Sequence, residues 1–364
     1  MDYISTRAAA KKWGISPGRV AELCRLQRIS GCKKPGNQWL IPSNARKPQD
    51  ARDSSTQAAP QITLRPFLKW AGGKGQLLSQ IGKSLPKGLG HTITKYAEPF
   101  VGGGAVLFYI LSRYSLREIY ISDVNAELIN TYRVVQQQPE ALIQELHRMQ
   151  ADYHPLDPGQ RSSYYQQKRD RYNQLKAMPR EGISIELGAL FIFLNRTCFN
   201  GLYRVNRQGG FNVPMGAYRM PAICDEENLR SLSQALRGVQ IVCGDYRASQ
   251  QFIDSNTFVY FDPPYRPLNQ TSSFTSYSEQ EFGDEAQIQL AQYFSQLDQL
   301  GAQVLLSNSD PKNTNAQDNF FEELYQGFCI RRVWANRMIN SKQEARGPVS
   351  ELLIANYKIP RPRR

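Results

Sequence analysis

The 364-residue chain has few of the residues that bind metals or cross-link secreted proteins. It contains three histidines, and its six cysteines are scattered, with no pair in a CxxC spacing. We therefore expect reduced thiols and no bound metal. It also has no long apolar run, and its N-terminus has an acid at position 2 and no apolar core. These absences argue against a membrane span and against a signal peptide. We therefore expect a cytoplasmic protein.

Positive charge is what the chain has in excess. Lysine and arginine total 45 against 32 aspartates and glutamates, which gives a formal net charge of +13. Such a surplus is typical of proteins that bind a polyanion such as nucleic acid, although a basic protein need not do so. The length allows two or three domains.

Residues 1–45 predict a small helix-turn-helix module. Ser5 can cap a helix that ends at Gly14, and Pro17 opens a second helix that runs to about Ile29. Residues 35–37, Pro-Gly-Asn, then predict the turn of a short hairpin. Residues 46–61 have almost no large apolar side chains and predict a flexible linker.

This module resembles the winged-helix DNA-binding modules of the MerR and excisionase type. The resemblance implies groove or phosphate contacts by arginines of the second helix, which are Arg19, Arg25 and Arg28. A protein-interaction or dimerisation module of the same shape is the alternative.

The most informative stretch is 257–265, which reads Thr-Phe-Val-Tyr-Phe-Asp-Pro-Pro-Tyr. Its aromatic and β-branched residues predict a buried strand, which must stop at Asp262 because Pro263 and Pro264 cannot continue a sheet. In open α/β sheets, ligands bind at the carboxyl ends of strands. There the Asp262 carboxylate and the Pro263 carbonyl would accept both hydrogens of a flat amine, and the Tyr265 ring would stack on its heterocycle. The alternative is a proline-rich turn that only ends a core strand.

Two glycine-containing segments predict a nucleotide-like cofactor. Residues 67–78 place Gly-Gly between Trp70 and Lys74, without the spacing of a phosphate-binding P-loop. In 96–108, a strand ends near Glu98, and a glycine turn precedes a helix. Asp123 ends the next strand and would accept hydrogen bonds from ribose hydroxyls, in dinucleotide and in S-adenosylmethionine enzymes alike.

The middle of the chain predicts helices followed by a basic hairpin. Residues 139–185 are polar and helical in pattern, and 187–194 predict an apolar helix. Residues 208–210, Gln-Gly-Gly, then predict a hairpin turn. Basic, amide and aromatic side chains mix along this segment: Arg196, Phe199, Asn200, Tyr203, Arg204, Asn206, Arg207 and Phe211. The mixture suits insertion into a DNA groove, and a solvated surface hairpin is the alternative.

The order of these blocks resembles that of the Dam-type (D12 class, α-group) DNA adenine-N6 methyltransferases. The blocks are Phe-Leu-Lys-Trp-Ala-Gly-Gly-Lys, Glu-Pro-Phe-Val-Gly-Gly-Gly, Asp123, the hairpin and Asp-Pro-Pro-Tyr, and the resemblance runs from about Pro66 to Lys358. It implies an α/β fold, with a Rossmann-like methyltransferase sheet and an inserted, mainly helical target-recognition domain. The expected catalytic domain is 62–138 with 239–358, and the expected recognition domain is 139–238.

The resemblance also implies roles for individual residues. The expected cofactor is S-adenosylmethionine, held by Trp70, Lys74, Glu98, Phe100, Gly102, Gly104, Asp123, Asp245, Tyr246 and Asp262. The expected catalytic segment is Asp262, Pro263, Pro264 and Tyr265. The expected contacts with double-stranded DNA are Arg196, Phe199, Asn200, Leu202, Arg204, Asn206, Pro214 and Tyr218.

Within the hairpin, the segments Asn-Arg-x-x-Phe-Asn-Gly-Leu-x-Arg-x-Asn and Phe-Asn-Val-Pro-x-Gly-x-Tyr resemble the recognition hairpin of GATC-methylating members. This implies phosphate contacts by Arg196 and Asn200 and a wedge at Phe199 beside a flipped adenine. Arg204 would read a guanine through its O6 and N7 atoms. Apolar base contacts are expected from Leu202 and Pro214.

Two other functions compete with this one. A DNA-binding regulator with an inactive methyltransferase fold would use the helix-turn-helix alone. An amine methyltransferase could instead act on cytosine N4, RNA adenine or a protein glutamine, although Asp before Pro-Pro-Tyr favours DNA adenine. A cognate restriction endonuclease in a restriction-modification system is a candidate partner.

Overall fold

The computed structural model describes residues 2–25, 29, 31–36, 38–45, 64–179, 181–266, 282–336 and 348–359. The chain divides into two compact units, Met1–Ile62 and Thr63–Arg364. The predicted linker and Arg28 lie outside the described residues, as does the side chain of Arg19.

The first unit contains two helices and two short strands. They are β1 (Tyr3–Ser5), α1 (Thr6–Trp13), α2 (Pro17–Arg25) and β2 (Leu40–Pro42), with β1 antiparallel to β2. The predicted caps of α1 are present: Ser5 accepts the Ala8 N–H at 3.2 Å, and Gly14 has φ +66°. Lys33 and Leu40 exchange backbone hydrogen bonds of 2.9 and 2.8 Å, so the predicted hairpin forms around one bridge.

The second unit is built on a mostly parallel sheet. Its strands in the described residues are β3 (Lys95–Glu98), β4 (Glu118–Asp123), β5 (Gln240–Cys243), β6 (Thr257–Phe261), β7 (Gln303–Ser309), β8 (Cys329–Asn336) and β9 (Pro348–Ala355). The strand order is β5-β4-β3-β6-β7-β9-β8, and β9 runs antiparallel to both of its neighbours. The helices are α3 (Leu78–Gly82), α4 (Ala105–Leu111), α5 (Ala126–Gln137), α6 (Pro139–Tyr153), α7 (Pro158–Ala177), α8 (Ile185–Thr197), α9 (Glu226–Ala235), α10 (Asp284–Gln299) and α11 (Phe320–Leu324).

The direction of chain progression reverses between β3 and β6. From β3 the chain steps outward to β4 and β5, and later from β6 outward in the opposite direction to β7. The two central strands pair in parallel register, with Ala97 opposite Val259. A crevice forms at such a reversal, at the carboxyl ends of the strands, and this is where open α/β sheets bind ligands.

The buried strand predicted before Asp262 is confirmed. All five residues of β6 are buried, and Phe258 to Phe261 are 0% exposed. The strand has parallel neighbours on both edges and is covered on both faces, which explains its continuous apolar sequence.

The helices of the middle segment are also confirmed. Asp157 caps α7 by accepting the Gln160 N–H at 2.9 Å, and Pro158 follows at the first helical position. The apolar helix is α8, in which residues 187–195 are all buried. Its side chains belong to a core cluster that also contains sheet residues such as Tyr96 and Phe258. The helices between β4 and β5 therefore share a core with the sheet.

One side chain caps the edge of the sheet. At Trp334 in β8, the backbone N–H donates to Gln80 Oε1 at 3.1 Å, and the backbone carbonyl accepts from Gln80 Nε2 at 2.7 Å. The α3 side chain therefore takes the place of one residue of a neighbouring strand.

Within the described part of the chain, no helix is both long and apolar enough to cross a bilayer. Those same residues contain no cluster of three or more His, Cys, Asp or Glu side chains suited to a metal ion.

Candidate active site and nucleic-acid interface

The carboxylate that ends β6 forms an ion pair with a lysine. Lys74 Nζ lies 2.7 Å from Asp262 Oδ1 and also donates to the Gly72 carbonyl at 2.7 Å. The Lys74 side chain is 5% exposed and that of Asp262 is 21% exposed, so water screens this pair weakly. Burial raises the pKa of Asp262, and the Lys74 charge opposes that rise.

Tyr265 is fixed at both ends of its side chain. Its ring centroid lies 4.6 Å from Lys74 Nζ, and its hydroxyl donates to Glu351 Oε2 at 2.5 Å. Burial, helped by the carboxylates of Asp262 and Glu351, raises the pKa of Tyr265 well above its usual range, so the phenol keeps its proton. Sequence reasoning missed Glu351, although an acid in the apolar run of β9 was a usable signal.

Two buried amides hold the Asp-Pro-Pro-Tyr backbone. Gln287 Nε2 donates to the Pro264 carbonyl at 3.1 Å, and Asn308 Nδ2 donates to Gln287 Oε1 at 3.0 Å. Asn308 Oδ1 in turn accepts the Arg266 N–H at 3.3 Å. Gln287 and Asn308 are both 0% exposed, so they hold the Asp-Pro-Pro-Tyr backbone from the protein interior. The Pro263 carbonyl takes part in none of these contacts.

A second carboxyl lies at the end of β3. Glu98 is 2% exposed, and its Oε2 accepts from the Tyr96 hydroxyl at 2.5 Å. Burial raises the pKa of Glu98 well above its ordinary value, and the nearby Asp262 adds to the rise, while the Tyr96 hydrogen bond and Lys74 oppose it. Glu98 therefore stays protonated to a higher pH than an exposed glutamate.

The glycine turn after β3 lies directly against Trp70. Gly102 and Gly104 have φ of +46° and +72°, which disfavours side chains. A methyl group added to Gly102 would lie 2.9 Å from Cδ1 and Nε1 of Trp70, and one on Gly103 would lie 2.8 Å from Trp70 Cβ. Glycine is therefore needed here so that the indole can approach the backbone.

Asp123 holds this turn from the neighbouring strand. Its Oδ2 accepts the Gly102 N–H at 3.1 Å, and its Oδ1 accepts the Asn125 N–H at 2.9 Å. Burial raises the pKa of Asp123, and these backbone donors oppose the rise. Each carboxylate oxygen has two acceptor sites, so the group can still receive a ribose hydroxyl. Val124 beside it is 71% exposed, an apolar side chain that sequence reasoning did not single out.

Asp245 and Tyr246, which were predicted near the cofactor adenine, differ in their exposure to solvent. Asp245 Oδ1 accepts the Arg247 N–H at 2.9 Å, and the Asp245 side chain is half-exposed. Phe100 and Tyr246 stack with their ring centroids 5.5 Å apart, and Tyr246 is 4% exposed. Tyr246 therefore packs against one face of the Phe100 ring, and the Tyr246 side chain itself is buried.

The predicted hairpin around residues 208–210 is present. Val205 and Phe211 form an antiparallel bridge, and the Asn206 N–H donates to the Gly210 carbonyl at 2.9 Å. Asn206 Oδ1 also accepts the N–H groups of Gln208 and Gly210, at 3.0 and 2.9 Å. This oxygen is therefore committed to the turn, which leaves the Asn206 amide nitrogen for a contact with DNA.

The entry to the hairpin is locally strained. Asn200 has φ +54°, and no other described non-glycine residue has a positive φ. Such conformations cluster at functional sites. Beside it, Phe199 is 52% exposed, which is unusual for a large aromatic side chain and fits the wedge role.

Arg204, the predicted guanine contact, is exposed, and a hydrogen bond to Asn212 fixes its orientation. Arg204 Nε donates to Asn212 Oδ1 at 2.8 Å across the hairpin, while Pro214 is exposed and Leu202 partly buried. Arg196 also makes a contact that the sequence did not predict. Its Nη2 donates to the Phe67 carbonyl at 2.9 Å, its Nε is buried with no partner among the described residues, and burial lowers its pKa. Arg196 thus fastens α8 to the Phe67 segment.

Lys69 joins this surface although sequence reasoning missed it. Asn195 accepts the Lys69 N–H and donates to its carbonyl, both at 2.8 Å, and also donates to the Gly201 carbonyl at 3.0 Å. Lys69 Nζ lies 4.4 Å from the Tyr218 ring centroid. The buried Asn195 amide thereby brings a lysine of segment 67–78 to the hairpin around residues 208–210.

Comparison with known proteins agrees with this arrangement. Residues 70–339 match the family model for D12 class N6 adenine-specific DNA methyltransferases. The chain is 49% identical over 298 residues to the type II methyltransferase M.MjaIII of Methanocaldococcus jannaschii, covering 81% of this chain and 100% of that protein. It is 35% identical over 295 residues to the DNA adenine methylase of Escherichia coli K12, covering 81% and 95%, and 33% identical over 306 residues to that of Haemophilus influenzae, covering 83% and 97%.

Proposed function

The chain belongs to the D12 class N6 adenine-specific DNA methyltransferase family, and from that premise we propose how its residues select and methylate their target. The reaction is methyl transfer to the N6 atom of adenine in DNA. The finer parts of the proposal are the residue roles, the GATC target and the role of the N-terminal unit.

The family implies S-adenosylmethionine as the methyl donor, and the residues at the sheet crevice fit this group. Asp123 has acceptor capacity for ribose hydroxyls, Phe100 and Val124 offer apolar surface, and the glycine turn would present backbone without side chains to the group. We assign Glu98, Asp245, Gly102 and Gly104 to the same site, with Lys74 and Asp262 at its boundary with the target base. When bound, this cofactor supplies an electrophilic methyl group.

The acceptor amine would be held by Asp262 and the Pro263 carbonyl. An adenine inside a duplex presents its amine to neighbouring bases, so the base must first leave the stack. The Tyr265 ring, fixed through Glu351, would then support the flipped base, while Phe199 fills the gap that the base leaves. Two hydrogen bonds from N6 would orient the nitrogen for attack.

The ionisation of the site suits this role. Lys74 favours the deprotonated form of Asp262, in which both carboxylate oxygens accept hydrogen bonds and neither donates one. Lys74 contacts Asp262 at Oδ1, and the remaining acceptor sites of this carboxylate would receive the amine. The observation that carries the proposal is therefore this one: a carboxylate, a carbonyl outside the buried amide contacts and an anchored aromatic ring lie together at the crevice.

We propose GATC as the target sequence. The proposal rests on the hairpin residues Phe199, Leu202, Arg204, Pro214 and Tyr218, with Arg204 held by Asn212 in an exposed position. Asn200 would contact a phosphate, and so would Arg196 through Nη1, because its Nη2 donates to the Phe67 carbonyl and its Nε is buried.

Transfer of labelled methyl groups to duplex oligonucleotides tests the target. The duplexes would differ only in carrying GATC or a scrambled site. Label on N6 of adenine in GATC alone is the expected result. Label on adenine in other sequences would keep the chemistry and overturn the target, while bound cofactor with no label on any DNA would overturn the residue roles.

For the first unit we propose a second DNA contact through α2, whose Arg25 is exposed. In the full chain, Arg25→Ala should weaken binding to all sequences alike and reduce the salt slope by about 1. An unchanged salt slope would favour a protein-interaction role. We also propose that this methylation protects sites from a cognate restriction endonuclease, so DNA methylated by this chain should resist a GATC-cutting endonuclease that adenine methylation blocks.

A further inference from the structure

Tyr203 lies between two hairpin residues assigned to base contacts, Leu202 and Arg204, yet its own ring faces inward. It stacks on Trp70 with ring centroids 5.7 Å apart and an interplanar angle of 21°. The same ring contacts Phe191 of α8 at 5.0 Å and Phe211 across the hairpin at 5.7 Å. One side chain thus contacts the cofactor segment, the helical layer and the opposite arm of the hairpin.

The hydroxyl of Tyr203 adds polar contacts to the same layer. It donates to Glu127 Oε2 at 3.3 Å, accepts from Lys176 Nζ at 3.2 Å and lies 3.3 Å from the Tyr172 hydroxyl. Lys176 Nζ and Glu127 Oε2 are themselves 3.3 Å apart, and Glu127 is 7% exposed. The tyrosine therefore belongs to a largely buried polar cluster, and its ring has little freedom to move alone.

Both ends of this arrangement reach the cofactor site. Trp70 lies against Gly102 and Gly103 of the glycine turn, close enough that no side chain fits there. Glu127 is in the first turn of α5, four residues after Asp123, which binds the same turn. Any shift of the turn or of α5 would therefore change the contacts of Tyr203 with Trp70 or with Glu127.

We propose that Tyr203 is a positioning residue that couples the S-adenosylmethionine site to the recognition hairpin, so that filling either site strengthens binding at the other. The inference rests on the function proposed above. Ordering Trp70 by the cofactor fixes Tyr203 and with it the segment that carries Leu202 and Arg204. DNA that orders the hairpin then needs less further ordering, and by thermodynamic linkage the effect is reciprocal.

The test measures binding and needs no catalysis. The affinity of full-length protein for S-adenosylhomocysteine, an unreactive product analogue, is determined by calorimetry with and without a GATC duplex. The ratio of the two affinities is the coupling factor, for which we expect about 10 in the parent protein, within the usual range for coupled sites.

Two substitutions separate the ring from the hydroxyl. Tyr203→Leu removes both and should bring the coupling factor to about 1, the value for independent sites. Tyr203→Phe keeps the stack on Trp70 and should retain part of the coupling. Tyr164→Leu is the matched control, because Tyr164 packs on Tyr153 and Phe193 in the same helical layer. It should leave the coupling factor at the parent value, and near-ultraviolet circular dichroism confirms folding.

The outcomes are distinguishable. If Tyr203→Leu keeps the coupling factor of the parent protein, or if Tyr164→Leu lowers that factor as much as Tyr203→Leu does, the positioning role is overturned. Either result would leave the proposed function intact. A parent protein that binds both ligands independently would also overturn the coupling alone. A parent protein that binds no analogue, or binds GATC no better than a scrambled duplex, would instead overturn the proposed function.

Discussion

Lys74 Nζ lies 2.7 Å from Asp262 Oδ1 and 4.6 Å from the centroid of the Tyr265 ring. In this structure the lysine thus contacts both groups that the target base would use, the acceptor carboxylate and the stacking ring. Its charge favours the ionised form of a weakly hydrated carboxylate, which a neutral amine would later share.

Asp262→Ala should abolish methylation while the protein stays folded. Loss of one well-placed hydrogen-bonding group at a reacting centre typically costs about 10²–10³ in rate. Single-turnover methylation of a GATC duplex measures it. Asp254→Ala, at the other end of β6, is the control and should keep the parent rate. Activity above about a tenth of the parent value in Asp262→Ala would exclude the proposed hydrogen-bond acceptor role.

Lys74→Met should shift the pH dependence of methylation. Burial raises the pKa of Asp262, and Lys74 lowers it, so without the lysine the carboxyl is protonated at a higher pH. The acidic limb of kcat/KM should therefore move to higher pH, with a lower rate at neutral pH. A limb that stays in place, or moves to lower pH, would show that Asp262 does not control it.

Glu98→Gln should flatten the pH dependence of stability. The folded-state pKa of Glu98 is raised, so the native protein keeps a proton that the unfolded chain releases near pH 4.3, roughly its ordinary pKa. The free energy of unfolding should consequently fall as the pH rises above that value towards the folded pKa. Urea titrations at several pH values measure this fall. The control is the exposed Glu118→Gln, and an equal slope in the two variants would contradict the assignment.

Glu351→Ala should lower the methylation rate through Tyr265. The hydrogen bond from the Tyr265 hydroxyl goes to a charged acceptor, and such bonds contribute about 1.5–3 kcal/mol, or about tenfold or more in rate if the ring position depends on it. Glu351→Gln retains an acceptor oxygen and should rescue most of the rate. Equal losses in the two variants would mean that the charge of Glu351, and not its hydrogen bond, matters.

Arg204→Ala should relax discrimination at one guanine by about 1–3 kcal/mol. Methylation of GATC is compared with duplexes that carry one altered base pair. Arg207→Ala, on the same hairpin and also exposed, should weaken all duplexes alike. A uniform loss in Arg204→Ala would make this arginine a phosphate contact instead.

Local patterns predicted the parts of the site that are local. The strand before Asp262, the caps of α1 and the hairpin turn each depend on residues a few positions apart, and all are present. Chemistry encoded in short blocks also sufficed to identify the family.

Contacts between distant segments could not be predicted this way. Glu351 reaches Tyr265 across 86 positions, and Asn195 reaches Lys69 across 126. No pattern in one sequence encodes such pairings. For the same reason the hydrogen bond from Arg196 to the Phe67 carbonyl was not predicted, and the phosphate contact of Arg196 stays a prediction. The stacking of Tyr246 on Phe100 was likewise not predicted, and the cofactor contact of Tyr246 stays a prediction.

The Gln80 side chain at Trp334 has a consequence for self-association. An open strand at the margin of a sheet invites another chain to extend the sheet, which is a common route to aggregates. The Gln80 amide already uses the N–H and carbonyl of Trp334, so a second molecule would have to displace it before pairing there. One glutamine from a short helix thus opposes edge-to-edge polymerisation at this point of the sheet margin, although the exposed indole of Trp334 leaves apolar surface beside it.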